Sequence, residues 1–143
     1  MYIILASHGP MAEGTRKTAE MIAGPQEGVH VFGINMEDDP DALSAKLEAV
    51  IVEATGKGEE IMIFTDLISG TPYIVATQLM QEYPGILHIT GMNVGMLVTV
   101  FAQKSFMSAQ ELYDDLKENK DNLIMFVNDV LAADDDDDDD DDD

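Results

Sequence analysis

Two short strings constrain this chain more than any other feature: ILASHGPMAEG near the start and IFTDLISGTPY in the middle. Each is a run of apolar residues that ends on a polar, reactive side chain and then breaks into a glycine-bearing turn. The first run ends at His8 and the second at Asp66. Continuous apolar runs of this length, without alternation, are the pattern of strands buried on both faces of a parallel sheet. Such sheets gather the loops that follow their strands along one edge, and that edge is where they hold ligands.

The rest of the chain fits the same plan, with strand and helix signals alternating. Residues 2–7 read as a strand and residues 11–23 as a helix that stops near Gly24-Pro25. Residues 29–34 read as a second strand. Asp39-Pro40 then opens a helix whose Leu43, Leu47, Val50, Ile51 and Ala54 share one face, closed by Gly56 and Gly58. A third strand spans 60–65. Thr71-Pro72 starts a helix carrying Val75, Ala76, Leu79 and Met80 on one face. A fourth strand spans 86–89 and ends before Gly91. Helices are expected over 94–103 and 108–118, and the apolar run 123–127 (LIMFV) is expected to be a last strand. Four strands alternating with helices predict an α/β three-layer, doubly wound fold with four parallel strands in the order 2-1-3-4 and right-handed crossovers. In that order the switch point lies between strands 1 and 3, so His8 and Asp66 converge.

Composition sets the boundaries. With 143 residues and 45% hydrophobic content, the chain is expected to form a single domain over 1–133. Asp134 to Asp143 form an unbroken run of ten aspartates and are expected to be a disordered tail. Setting that run aside, 19 acidic residues face 7 basic ones. A body that acidic repels nucleic acid and anionic membrane surfaces, so no nucleic-acid partner is expected. The apolar run at the N-terminus is too short for a signal peptide or a membrane span, so no membrane insertion and a cytoplasmic location are expected. Cysteine is absent, which excludes disulfides and thiolate metal sites.

His8 and Asp66 are the candidate catalytic pair. An imidazole that attacks phosphorus needs one ring nitrogen unprotonated and the other held as a donor, and a carboxylate on the far nitrogen enforces that tautomer. Taken singly, each residue also has a plainer explanation. His8 can cap its strand, Asp66 can bond the turn amides of 67–70, and Thr71 can cap its helix. Those roles are compatible with chemistry, because a helix N-terminus is also where an anion binds. Thr71 is therefore the third catalytic candidate, and Gly9, Ser69 and Gly70 are candidates for holding phosphate oxygens through backbone amides. His30 and His88 lie among apolar strand residues and are expected to be satisfied core or edge histidines. No His or carboxylate spacing matches a metal site, and neither nucleotide-binding glycine motif occurs, so no metal and no cofactor are expected. Met11, Leu67, Ile68, Met92 and Met96 fall in or beside the edge loops. Those not in the core would form an apolar rim suited to docking proteins.

With these residues in place, the chain resembles the enzyme IIA domain of the mannose family of the bacterial phosphoenolpyruvate-dependent sugar phosphotransferase system. The likeness rests on SHG at residues 7–9, TDLISGTPY at 65–73 and GMNVGML at 91–97, and it covers the chain up to the aspartate tail. The resemblance implies a phosphoryl carrier in which the phosphocarrier protein HPr phosphorylates His8 on Nε2 and an enzyme IIB domain receives the group. It implies that Asp66 sits on Nδ1, that Thr71 contacts the phosphoryl group, and that residues 123–127 are a strand exchanged in a homodimer. Ser69 stands where the family often has glycine, Ile74 where it often has asparagine, and Gly95 where it often has proline. A phosphoryl-donor subunit of a dihydroxyacetone kinase uses a similar domain, and a non-enzymatic module for an anionic metabolite would use the same crevice.

Overall fold

A computed structural model describes residues 1–140 of the chain. Its strands are β1 (Tyr2–His8), β2 (Val29–Ile34), β3 (Ile61–Thr65) and β4 (Leu87–Thr90), and its helices are α1 (Met11–Ala23), α2 (Pro40–Gly56), α3 (Thr71–Glu82), α4 (Val94–Gln103), α5 (Ala109–Glu118) and α6 (Val127–Asp140). The strands form one parallel sheet in the order β2-β1-β3-β4, the order read from the sequence.

Side chains alternate across the sheet and split the core in two. Ile3, Leu5, Met62 and Phe64 face α1, α4 and α5. Ile4, Ala6, Ile61 and Ile63 face α2 and α3. All four residues from Ile3 to Ala6 are fully buried, which is why β1 is apolar throughout instead of alternating. Ile3, Ile4 and Leu5 each contribute about 1.5–3 kcal/mol of burial. In α2 the sequence reading of both cap and face holds. Asp39 accepts a hydrogen bond from the Asp41 amide at 3.0 Å, and Leu43, Leu47, Ile51 and Ala54 are buried. α5 is opened by a reciprocal bond pair between Ser108 and Glu111.

Three expectations need correction. Thr71 does not cap α3: Gly70 is the cap residue, and Thr71 and Pro72 are the first two helical residues. Residues 123–127 do not form a strand. A single turn of 3-10 helix (Lys120–Asn122) leads into Leu123, whose side chain packs on the first core cluster and against Gly95. A short segment without a hydrogen-bonded neighbour does not hold as a strand, and among the described residues nothing pairs with this one. Val127, Val130 and Leu131 instead recur at helical spacing and start α6. Finally, where a disordered run from Asp134 was expected, α6 continues as far as Asp140. Asp141–Asp143 lie outside the described residues.

Candidate functional site

β1 and β3 are neighbours, so their C-terminal ends bring His8 and Asp66 together at the switch point. One carboxylate oxygen of Asp66, Oδ2, accepts the backbone N–H of His8 at 2.8 Å and lies 2.7 Å from Nδ1 of the same residue. The other, Oδ1, accepts the N–H of Leu67 at 2.8 Å. A single carboxylate thus bonds both the turn and the ring. Burial pushes the Asp66 carboxyl up, but the bonds from the His8 backbone, the His8 ring and the Leu67 amide outweigh it and hold the group below the ordinary carboxylate range. Asp66 is therefore ionised and can only accept. A neutral imidazole facing it must carry its proton on Nδ1, which leaves the Nε2 lone pair free. The Asp66 side chain is 8% exposed and that of His8 is 49% exposed, so the carboxylate is shielded while the ring remains open to a partner.

The surrounding turns hold this pair in place. Ser7 is buried, and its hydroxyl accepts the Ala12 N–H at 2.8 Å, capping α1 from within β1. The Gly91 amide donates to the Asp66 carbonyl and the Met92 amide to that of Thr65, tying the end of β3 to the loop after β4. Neither Ser7 nor Thr65 was marked by the sequence as part of the site. The only available signal was a hydroxyl at the last buried position of each apolar run. Gly70 is required by contact: a Cβ there would stand 2.7 Å from Cε1 of His8. Ser69 has φ of 65°, the left-handed conformation in which a side chain costs about 1–2 kcal/mol.

No side chain caps the start of α3, so its first-turn amides are not claimed from that side. Half-buried Thr71 opens the helix directly after Gly70, the residue that touches the His8 ring. The Gly70 amide makes only a long contact of 3.4 Å to the Leu67 carbonyl. Gly9 corrects the sequence reading. Its own N–H is committed to the Ile34 carbonyl at 2.8 Å, and its part is the left-handed turn, φ 54°, that carries the chain from β1 into α1.

Met11, Leu67 and Ile68 are exposed around the pair. Met92 instead belongs to the core, and Met96 is half-buried against it. His30 stacks on Tyr2 with ring centroids 5.3 Å apart, and His88 is bonded to threonines within the fold. Among the described residues no group of His, Asp and Glu is placed to hold a metal ion. Likewise, no helix among them is long and apolar enough to cross a membrane.

Comparison with known proteins identifies the family of the chain. The family model EIIA-man, described as "PTS system fructose IIA component", matches residues 2–117. The sorbose-specific EIIA component of Lacticaseibacillus casei is 30% identical over 121 residues, covering 85% of this chain and 86% of that protein. The mannose-specific EIIAB component of Escherichia coli (strain K12) is 31% identical over 112 residues, 77% of this chain but 34% of that protein, so the chain spans about a third of that relative. Among solved structures, the mannose/sorbose specific IIA subunit from Enterococcus faecalis superposes with a TM-score of 0.76 at 30% identity, over 87% of this chain and 92% of that one. The phosphotransferase system component EIIA from Streptococcus agalactiae superposes with a TM-score of 0.79 at 25% identity, over 89% and 97%.

Proposed function

This chain belongs to the EIIA-man family of phosphotransferase-system IIA components, and from that premise we propose that it carries a phosphoryl group on Nε2 of His8 between phospho-HPr and an enzyme IIB domain during sugar uptake. The observation that carries the proposal is the 2.7 Å contact between Nδ1 and the Asp66 carboxylate, on a His8 side chain that is 49% exposed. In the first step the Nε2 lone pair forms a bond to phosphorus as the N–P bond of the HPr phosphohistidine breaks, returning that electron pair to the donor imidazole. Asp66 then offsets the positive charge that grows on the His8 ring, through the Nδ1 proton it already binds. The Thr71 hydroxyl and the amides of Ser69 to Thr71, at the start of α3, would hold the phosphoryl oxygens. In the second step a IIB nucleophile takes the group and His8 returns to its neutral form. No cofactor enters either step.

The partners follow from the same reading. HPr and IIB dock on the rim of Met11, Leu67 and Ile68, apolar side chains around a charged centre. These exchanges take place in the cytoplasm. The chain itself pairs as a homodimer through Ile124–Leu131, whose exposed apolar residues need a cover. Incubation with phosphoenolpyruvate, enzyme I and HPr should produce an acid-labile adduct, and His8→Ala should fold normally and form none. An adduct of wild-type size on His8→Ala would overturn the assignment. The acceptor that next takes the phosphoryl group, a IIB domain or a dihydroxyacetone kinase subunit, separates the sugar-uptake role from its nearest alternative.

A further inference from the structure

Behind the His8–Asp66 pair lies a second histidine cluster that phosphoryl transfer leaves unused. His88 is on β4, the edge strand beside β3. Its Nε2 is 2.8 Å from the hydroxyl of Thr65, the fully buried residue that immediately precedes Asp66. That hydroxyl also donates to Oγ1 of Thr90 at 3.0 Å. Nδ1 of His88 faces the Thr77 hydroxyl at 3.4 Å, so threonine hydroxyls lie against both ring nitrogens. Burial favours the neutral ring by lowering its affinity for a second proton.

The contacts of His88 reach two of the three segments that build the site. Through Thr65 it grips the end of β3, from which Asp66 extends. On its other side it meets α3, through Thr77 and through Tyr73, whose ring centroid is 5.5 Å away at 46°. Tyr73 is in the first turn of α3, directly after Thr71 and Pro72 and close behind Gly70, which abuts the His8 ring. We propose that His88 is a positioning residue that sets the seat of Asp66 and the N-terminus of α3 against His8. Sites of this kind depend on groups one layer back to lock the rotamers of those that react. A carboxylate displaced by a fraction of an ångström would leave Nδ1–H less completely favoured, and with it the nucleophilicity of Nε2.

The consequence for transfer rests on the phosphoryl-acceptor reading, but the geometry can be tested without it. In the unphosphorylated protein, 15N NMR of the His8 ring reads its tautomer. We expect Nδ1–H to dominate in the wild type and to lose population in His88→Phe, which keeps the ring volume and loses both bonds. His88→Gln, which can donate to Thr65 and accept from Thr77, should restore it. Transfer from phospho-HPr should fall about tenfold in kcat for the Phe variant with KM nearly unchanged, as expected when a reacting group is misplaced rather than a partner lost. If the Phe variant fails to fold, the near-isosteric Thr65→Val cuts the same link from the other end and should give the same His8 signature. A folded His88→Phe or Thr65→Val with the wild-type His8 spectrum overturns the proposal, even if the adduct forms normally. A shifted spectrum in a protein that never forms an adduct would support the positioning role and refute the acceptor reading.

Discussion

The strand-end edge and the C-terminal segment both expose large apolar side chains, yet the chain treats them differently. At the edge, Leu67 and Ile68 are exposed on a turn whose backbone is anchored by the Asp66 side chain and by its carbonyl bond to Gly91. From Ile124 to Leu131 the apolar residues are just as exposed, but every residue from 124 to 138 is exposed as well. The contrast teaches that exposure alone does not define a functional surface. Where a chain's own hydrogen bonds hold an apolar rim in one geometry, the rim is built to meet a passing partner. Where the apolar residues instead run along a helix exposed on every side, their cover has to come from another molecule.

The sharpest way to break the comparison is to remove the anchor at the edge. Asp66→Ala deletes the acceptor for the His8 backbone, the His8 ring and the Leu67 amide together. Transfer from phospho-HPr should fall by about 10²–10⁴-fold, the usual range for lost tautomer or acid–base support. Stopped-flow or quench measurement of adduct formation checks it, and an unchanged rate would reduce Asp66 to its turn-bonding role. Gly70→Ala asks a narrower question, because its Cβ would lie 2.7 Å from Cε1 of His8 and the ring must move. A displacement near 1 Å predicts a loss of roughly 10²-fold. Circular dichroism should remain that of the wild type, since the residue caps α3 from the β region, which alanine also adopts.

The edge was also the more legible of the two regions. Apolar runs ending on His8 and Asp66, turn glycines after each, and alternating strand and helix signals place the pair before any coordinates are seen. Those signals are local, and the strand order follows from how parallel sheets are wound. Cap assignment was less legible, because Thr-Pro looks like a cap and a first helical residue, while the structure shifts the frame by one and uses Gly70. Thr65 and His88 were read as ordinary strand residues, since their bond to each other depends on strand register, which composition does not reveal. At residues 123–127 the pattern is that of a strand, but an apolar run becomes one only if something pairs with it, and among the described residues nothing does.

The histidine behind the site offers a smaller effect whose sign can be worked out. The pKa of His88 is lowered in the folded protein by burial, so the unfolded chain takes up a proton at a higher pH than the folded one. Its contribution to stability is complete above the ordinary histidine pKa of about 6.5 and is lost as pH falls through the lower folded value. The slope from one such group is at most ~1.4 kcal/mol per pH unit. His88→Gln lacks this titration but retains His8 and His30. Denaturant melts from pH 7.5 down to pH 5 should therefore show wild type losing stability faster than the variant, narrowing any gap between them. Parallel pH profiles would mean that His88 titrates alike in both states and is not held neutral by the fold.

The C-terminal segment should leave the site chemistry unchanged, which makes it the control for the whole contrast. Ile124 and Phe126 are 67% and 74% exposed and adjoin Val127, Val130 and Leu131, while the site is anchored by β1, β3 and α3. Placing aspartate at both 124 and 126 puts two charges into any interface formed there, next to a segment that is already acidic, and desolvating them would cost several kcal/mol. Light scattering at low micromolar concentration should show a dimer for the wild type and a monomer for the double variant. Independent sites combine within about 0.5 kcal/mol, so phosphorylation of His8 in that monomer should stay within roughly twofold of wild type. Removing Asp134–Asp143 alone should change neither property, because residues 134–138 lie exposed on α6 and Asp141–Asp143 come after it. A double variant that is monomeric and also loses adduct formation would show that the partner subunit helps to order the edge, and the two regions would then have to be treated as one site.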